Sequence, residues 1–334
     1  RKYMNIKKIG LTALAGSLIA VTTGYAGELS ISGSAIIAYK TMEGTNDTQD
    51  VPAKIAMDQE LTAAGSAELD NGMTISLSHA LTSTGSGSAT SSLTLDMGDM
   101  GVLKYSDASI GGGLNALDDI TPTAWEEVTD GTAGEVQAGM GNGAGFNWSK
   151  DISGAAVSIT YTENFSATGT DGTNLATSAT NGLGTSSSIG ITYPVGDTGL
   201  TIYGGMGTEG QADTTQIDHD TLGVKYAMGA FTVGYQVNNE DNSAADNTVA
   251  ADEDLETTIL GISFLVNDDL SVSYTETEDT YDAQSNVKGG TEVVDVTMET
   301  EALQVAYSMG AMSIKAYNME TTNPGYDSDA AKRS

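Results

Sequence analysis

Cysteine is absent from the 334-residue chain, proline occurs four times, phenylalanine four times and tryptophan twice. Without cysteine there is neither a disulfide framework nor a thiolate metal site. With 39% hydrophobic and 6% aromatic residues there is little material for a large globular core. Bases are scarce too: 13 Lys and Arg stand against 45 Asp and Glu, a net charge of -32. That balance excludes nucleic acid and a bare anionic surface as partners and makes cations the natural company. Catalytic patterns are missing as well: no G-x-S-x-G, H-E-x-x-H or P-loop occurs, and His79 and His219 are far apart. No enzyme, cofactor or metal site is expected, and the acidic tract 238–254 lacks the spacing of a calcium loop.

What is present begins with a basic start, Met4-Asn-Ile-Lys7-Lys8, an apolar run from Ile9 to Val21 and a small-residue pattern at Gly24-Tyr25-Ala26. These are the three parts of a signal peptide, so residues 1–26 are read as a removed leader and the mature chain is expected to start at Gly27. Arg1, Lys2 and Tyr3 precede Met4 and stay outside the fold reading. Processing leaves nine bases against 45 acids, a charge of -36. No later stretch is long and apolar enough to span a bilayer as a helix.

Residues 67–81, AELDNGMTISLSHAL, are two alternating runs joined by Asp70-Asn71-Gly72, a hairpin signal. Ala67, Leu69, Met73, Ile75 and Leu77 make its apolar face, and Glu68, Thr74, Ser76 and Ser78 its polar one. The same period of two recurs in fifteen segments, from 28–40 and 54–69 through 200–206, 220–228, 231–238 and 270–278 to 297–309 and 312–319. Connections alternate strictly between short turns, such as Gly229-Ala230 and Gly310-Ala311, and long polar loops. A sandwich gives no reason for that rhythm, whereas an outer-membrane barrel has short turns at one end and long loops at the other.

The predicted fold is therefore an all-β transmembrane antiparallel barrel. Such barrels close on an even strand count, so sixteen strands are expected, fifteen are visible, and 27–334 is read as a barrel domain lacking its final strand. On this parity Lys40, Lys54, Lys104, Lys225 and Lys315 all point inward. A lysine on the lipid face at mid-bilayer costs about 2–4 kcal/mol. Tyr39, Tyr161, Tyr226, Tyr274, Tyr307 and Trp148 have outward parity, as an interfacial aromatic belt requires.

The longest connection, 109–142, contains the elbow Gly111–Gly113 and the stretch Thr121-Pro-Thr-Ala-Trp-Glu126, where a proline and a Thr123/Glu126 capping box predict a short helix. Ala67–Gly72, the run Gly101-Val-Leu-Lys-Tyr-Ser-Asp107, the segments GGGLNALDD and PTAWEE, and the hairpin Asn267–Tyr274 together resemble the Gram-negative general porins, closest to those of marine alphaproteobacteria. The resemblance covers nearly the whole mature chain. It implies that the third long loop, here 109–142, folds into the barrel as a constriction loop, and that the protein is a homotrimer in the outer membrane. Two departures stand out: no final strand ending in an aromatic residue, and no arginine cluster for the pore wall.

With the loop inside, Asp118, Asp119, Glu126 and Glu127 are expected to line the constriction and face Lys104, Lys225 and Lys315, each a few residues from a short turn. Acids dominate, so the expected function is passive diffusion of small hydrophilic solutes and ions with cation preference. Outer-membrane lipid and lipopolysaccharide are the surrounding partners. The alternative is a secreted or surface β-rich adhesion or coat protein, which differs by being soluble without detergent.

Overall fold

Local turn chemistry sets one end of the molecule. At Asp70–Gly72 the Leu69 N–H donates to the Met73 carbonyl at 2.7 Å and the Gly72 N–H to the Leu69 carbonyl at 2.8 Å. Gly72 takes a φ of +82°, which its missing Cβ permits. The computed structural model describes residues 3–20, 29–43, 51–82, 89–107, 110–128, 144–163, 183–211, 216–242, 252–284 and 296–323. The proposed cleavage site at 24–26, residues 129–142 of the long loop and the middle of the acidic tract lie outside them.

The strands are β1 Tyr3–Ala20, β2 Leu29–Glu43, β3 Val51–Glu68, β4 Thr74–Thr82, β5 Ala89–Asp96, β6 Val102–Ser106, β7 Gly145–Ile152 and β8 Ala155–Glu163. They continue as β9 Leu183–Pro194, β10 Leu200–Gln211, β11 Gln216–Met228, β12 Phe231–Asn242, β13 Asp252–Asn267, β14 Leu270–Gln284, β15 Val296–Met309 and β16 Met312–Thr322. Each pairs antiparallel with its sequence neighbours, and β1 pairs with β16 to close the barrel. Short turns join β3 to β4, β5 to β6, and so on to β15 and β16, all at one end. No helix among the described residues is long and apolar enough to cross a membrane, which a strand-built barrel does not need.

Two differences from the sequence reading have physical reasons. The sixteenth strand is expected after residue 334; in the structure the same seam is filled by β1, which lies inside the segment read as a leader. Ile9 opposes Ala316 on one side and Tyr39 on the other, so both edges that would otherwise expose unpaired N–H and C=O groups are covered. The second difference is length. Strands end at the short turns where expected but run further toward the long loops, as in β10 to Gln211 and β14 to Gln284. Above the apolar belt both faces meet water, so the ladder continues without alternation to mark it.

Parity separates two surfaces. On β12, Phe231, Val233 and Tyr235 are exposed, whereas Gln236 and Asn238 are fully buried. On β15, Leu303 is 60% exposed and Gln304 1%. Apolar side chains therefore look outward and polar ones inward, the inverse of a soluble core. All five lysines keep the inward parity expected: Lys40 opposes Lys54, Lys104 opposes Asn147, Lys225 opposes Gly234 and Lys315 opposes Ala306. Tyr39, Tyr161, Tyr226, Tyr274 and Tyr307 are all exposed on the outer face.

Candidate functional site

The inward face of five successive strands carries a glycine: Gly190 on β9, Gly205 on β10, Gly223 on β11, Gly234 on β12 and Gly261 on β13. Gly190 opposes Gly205, and Gly234 opposes Gly261. Together they form a track without side chains, and residues 110–128 lie in it. A Cβ at Gly190 would collide with the Gly113 carbonyl, one at Gly234 would sit 2.7 Å from Pro122 Cδ, and one at Gly261 2.8 Å from Thr121 Cβ.

Polar wall groups hold the loop's backbone. The Gly113 N–H donates to Ser158 Oγ at 2.8 Å and the Leu114 N–H to Ser188 Oγ at 3.1 Å. Gln236 Oε1 accepts the Ile120 N–H at 2.7 Å, while its Nε2 donates to the Leu117 carbonyl and, at 3.0 Å, to that of Asp118. The Ala124 N–H donates to Ser273 Oγ at 2.8 Å. Gln304 Oε1 takes the N–H groups of Trp125 and Glu126 at 2.9 and 3.0 Å, and its Nε2 returns a bond to the Glu126 carbonyl at 2.5 Å. Those bonds explain why the helix expected at 121–126 does not form. Its amides are spent on the wall, and among the described residues of the loop the helical turn falls at Gly113–Leu117 instead.

Apolar side chains complete the seat. Leu114, Leu117, Ile120 and Val128 are buried against the wall. The Trp125 ring lies 5.4 Å from that of Tyr317, and Val128 packs with Ala302, Tyr317 and Met319. From the Gly112 contact with Asn147 on β7 to Tyr317 on β16, the described loop residues touch ten consecutive strands.

With the apolar residues turned to the wall, Asp118, Glu126 and Glu127 are partly exposed on the loop. Asp119 is not: its Oδ1 accepts the Thr121 N–H at 2.8 Å and the Thr121 hydroxyl at 2.5 Å, and the residue is buried. Burial pushes its carboxyl above the ordinary value, against the pull of the Thr121 bonds. Because that pKa is raised, ionising Asp119 opposes seating; the seat is firmest at acid pH and loosens as pH rises through the raised value. Asp119→Asn is expected to flatten this dependence, measured as amide exchange protection of 113–125 at two pH values.

Of the expected lysines, Lys225 directly opposes Gly234 of the track. Lys225, 5.3 Å from the Tyr203 ring centroid, and Lys315 stand on strands the loop itself crosses, and Lys104 stands beside its entry. Lys40 and Lys54 are exposed and oppose each other near the long-loop ends of β2 and β3, away from the short turns close to which the loop is seated. Sequence reasoning also passed over Gln236, Gln304 and the glycine track. Their signal was available: glycine on the polar parity of five strands in a row. His219, expected at a strand junction, is inward and buried on β11, with Glu209 and Glu240 carboxylates 3.9 and 3.8 Å from its two ring nitrogens.

Filling the track separates hard from soft contacts. Gly234→Val and Gly261→Val push on proline and threonine atoms close to the loop backbone, at an overpacking cost of about 1–3 kcal/mol each. Gly223→Ala presses chiefly on the flexible Ile120 side chain, at 2.9 Å from Cδ1 and 3.1 Å from Cγ1, with the Tyr235 carbonyl at 3.2 Å. The first two are expected to raise single-channel conductance and the third to leave it near wild type.

No family model and no curated protein matches the sequence. Solved structures do match its shape. A porin refined at 1.8 Å is 11% identical with a TM-score of 0.51, covering 96% of this chain and 99% of its own. The anion-selective porin of Comamonas acidovorans is 11% identical with a TM-score of 0.54, over 96% and 100%. The outer-membrane-expressed OmpT of Vibrio cholerae is 9% identical with a TM-score of 0.56, over 96% of each chain. At such identities the likeness establishes the fold: a porin-type barrel.

Proposed function

We propose that this chain forms a water-filled channel in the outer membrane, through which small hydrophilic solutes and ions diffuse passively with a preference for cations. The observation that carries this reading is the acidic loop held along the inner wall of a closed barrel whose outer face is apolar. Asp118, Glu126 and Glu127 on the loop, with Lys104, Lys225 and Lys315 on the wall, set the field at the opening, with acids in excess. Neither cofactor nor catalysis enters. A planar bilayer under a KCl gradient tests it: a reversal potential of the sign for cation flow is expected, and anion preference overturns the charge assignment.

Residues 1–26 act as the export leader in this reading, and β1 then belongs to the unprocessed chain, with another strand needed at the β2/β16 seam afterwards. N-terminal sequencing of membrane-extracted protein is expected to start at Gly27; a start upstream of Tyr3 assigns β1 to the mature wall. A homotrimer is the assembly proposed. Toward the long loops, the outer face opposes like charges directly, Asp218 with Asp241, Glu276 with Glu301 and Glu278 with Glu299. Such pairs destabilise a sheet unless bridged. Divalent cations linking them to lipopolysaccharide phosphate relieve the repulsion, so a chelator is expected to lower the unfolding temperature of the protein in lipopolysaccharide-containing membranes.

A further inference from the structure

On its short-turn side the loop covers a second polar space. The turn at Gly113–Leu117 roofs a cavity of about 730 Å³, and the inward face of β6–β9 walls it. Ala116 and Leu117 line it from above, and Ala156 and Gly190 make a floor almost without side chains. Ser149 on β7 and Thr192 on β9 add two hydroxyls, and among the described residues neither is bonded to a protein group. A concave, mostly apolar space with a few convergent polar groups is the ordinary setting for a small ligand.

Charge gives the space two ends. Asp99, in the turn before β6, and Asp151, near the end of β7, border it with exposed carboxylates, while Lys150 has outward parity. Asp151 Oδ1 accepts the Gly154 N–H at 3.0 Å, so Oδ2 remains for a ligand. From there a single inward row crosses the wall: Asp151 opposes Ala156, Ala156 opposes Thr192, and Thr192 opposes Tyr203. Lys225 Nζ, 5.3 Å from the Tyr203 ring centroid, stands at the far end. At about 4.8 Å per strand step, the Cα atoms of Asp151 and Lys225 are about 19 Å apart along the wall, and their side chains bring the charges to roughly 10 Å. An extended tripeptide spans about 10 Å between its ammonium and its carboxylate.

We propose that this shelf beneath the loop is a resting site for short zwitterionic peptides, with the ammonium held by Asp99 and Asp151, the peptide amides bonded by Ser149 and Thr192, and the carboxylate drawn to Lys225. The proposal rests on the membrane-channel reading and names a solute class for it. A molecule that carries both charges gains at both ends, whereas a lone anion meets the acids and a lone cation meets the lysine. The probe is triglycine, set against neutral N-acetyl-triglycine amide, and the readout is the fall in single-channel KCl conductance as each is added. Triglycine is expected to lower the conductance of wild type saturably, and the neutral analogue to do so at least about tenfold more weakly. Asp151→Asn with Thr192→Val, in which the Asn carbonyl keeps the bond to Gly154, is expected to raise the half-saturating triglycine concentration about tenfold and to leave conductance without peptide near wild type.

Equal half-saturation for the two probes on wild type overturns the proposal, whether or not the double variant folds. So does a triglycine effect that never saturates, or one that the double variant leaves unchanged. A wild type that passes no KCl current would instead strike at the channel reading, so the two failures are distinguishable.

Discussion

Replacing Gln236 and Gln304 together by leucine raises single-channel conductance and strips amide protection from residues 113–126, while the barrel stays folded. The two amides supply six bonds to the loop backbone, three each. At about 0.5–1.5 kcal/mol net per bond, their loss removes roughly 3–9 kcal/mol of seating free energy. Both residues are essentially fully buried, so water does not reach the loop's N–H groups while it remains in place. The cheaper course is for the segment to lift into the lumen, where those groups hydrate. The strand ladders do not involve these side chains, so closure survives and the heat-modifiable band persists. Conductance equal to wild type would mean that the apolar anchors Leu114, Leu117, Ile120 and Val128 hold the loop alone.

Neutralising Asp118, Glu126 and Glu127 as Asn, Gln and Gln lowers the cation-to-anion permeability ratio by about tenfold, since clefts lined by one sign of charge carry potentials of several kT. Asp119→Asn is expected to do far less, because that carboxyl is buried against Thr121 and its charged form is already disfavoured. Lys104→Gln with Lys225→Gln moves the ratio the other way, toward cations. Equal effects from Asp119 and Asp118 would show that the loop's orientation differs from the one described. The contrast between the two neighbours makes this a test of geometry as well as of charge.

How much of this was legible in the sequence depended on what each feature has to repeat. Alternation marks every strand where one face meets hydrocarbon, so the boundaries at Phe231, Leu270 and Met312 were readable to the residue. Where both faces meet water, as in Gly207–Gln211, the pattern fades although pairing continues. The loop's acids were visible, but which of them faces the lumen was not. Asp118 and Asp119 are adjacent and chemically alike, and only the Thr121 contacts bury the second. Gln304 looked like any inward polar residue until the backbone of 125–126 was seen to end on it. The lysines were hard to place for a related reason: distance from a turn gives depth but not position around the ring, and Lys225 opposes Gly234 beneath the loop, whereas Lys40 lies near the long-loop end of β2.

The absence of cysteine allows single labels to be placed cleanly on adjacent residues of β12. Nitroxides at Val233 and at Thr232 in lipid vesicles, relaxed in turn by molecular oxygen and by a water-soluble nickel chelate, test whether the barrel encloses water and turns its apolar side to acyl chains. Oxygen is expected to dominate at 233 and the chelate at 232. Two labels that are both shielded from oxygen and from the chelate would place this strand inside a packed protein core and contradict the channel.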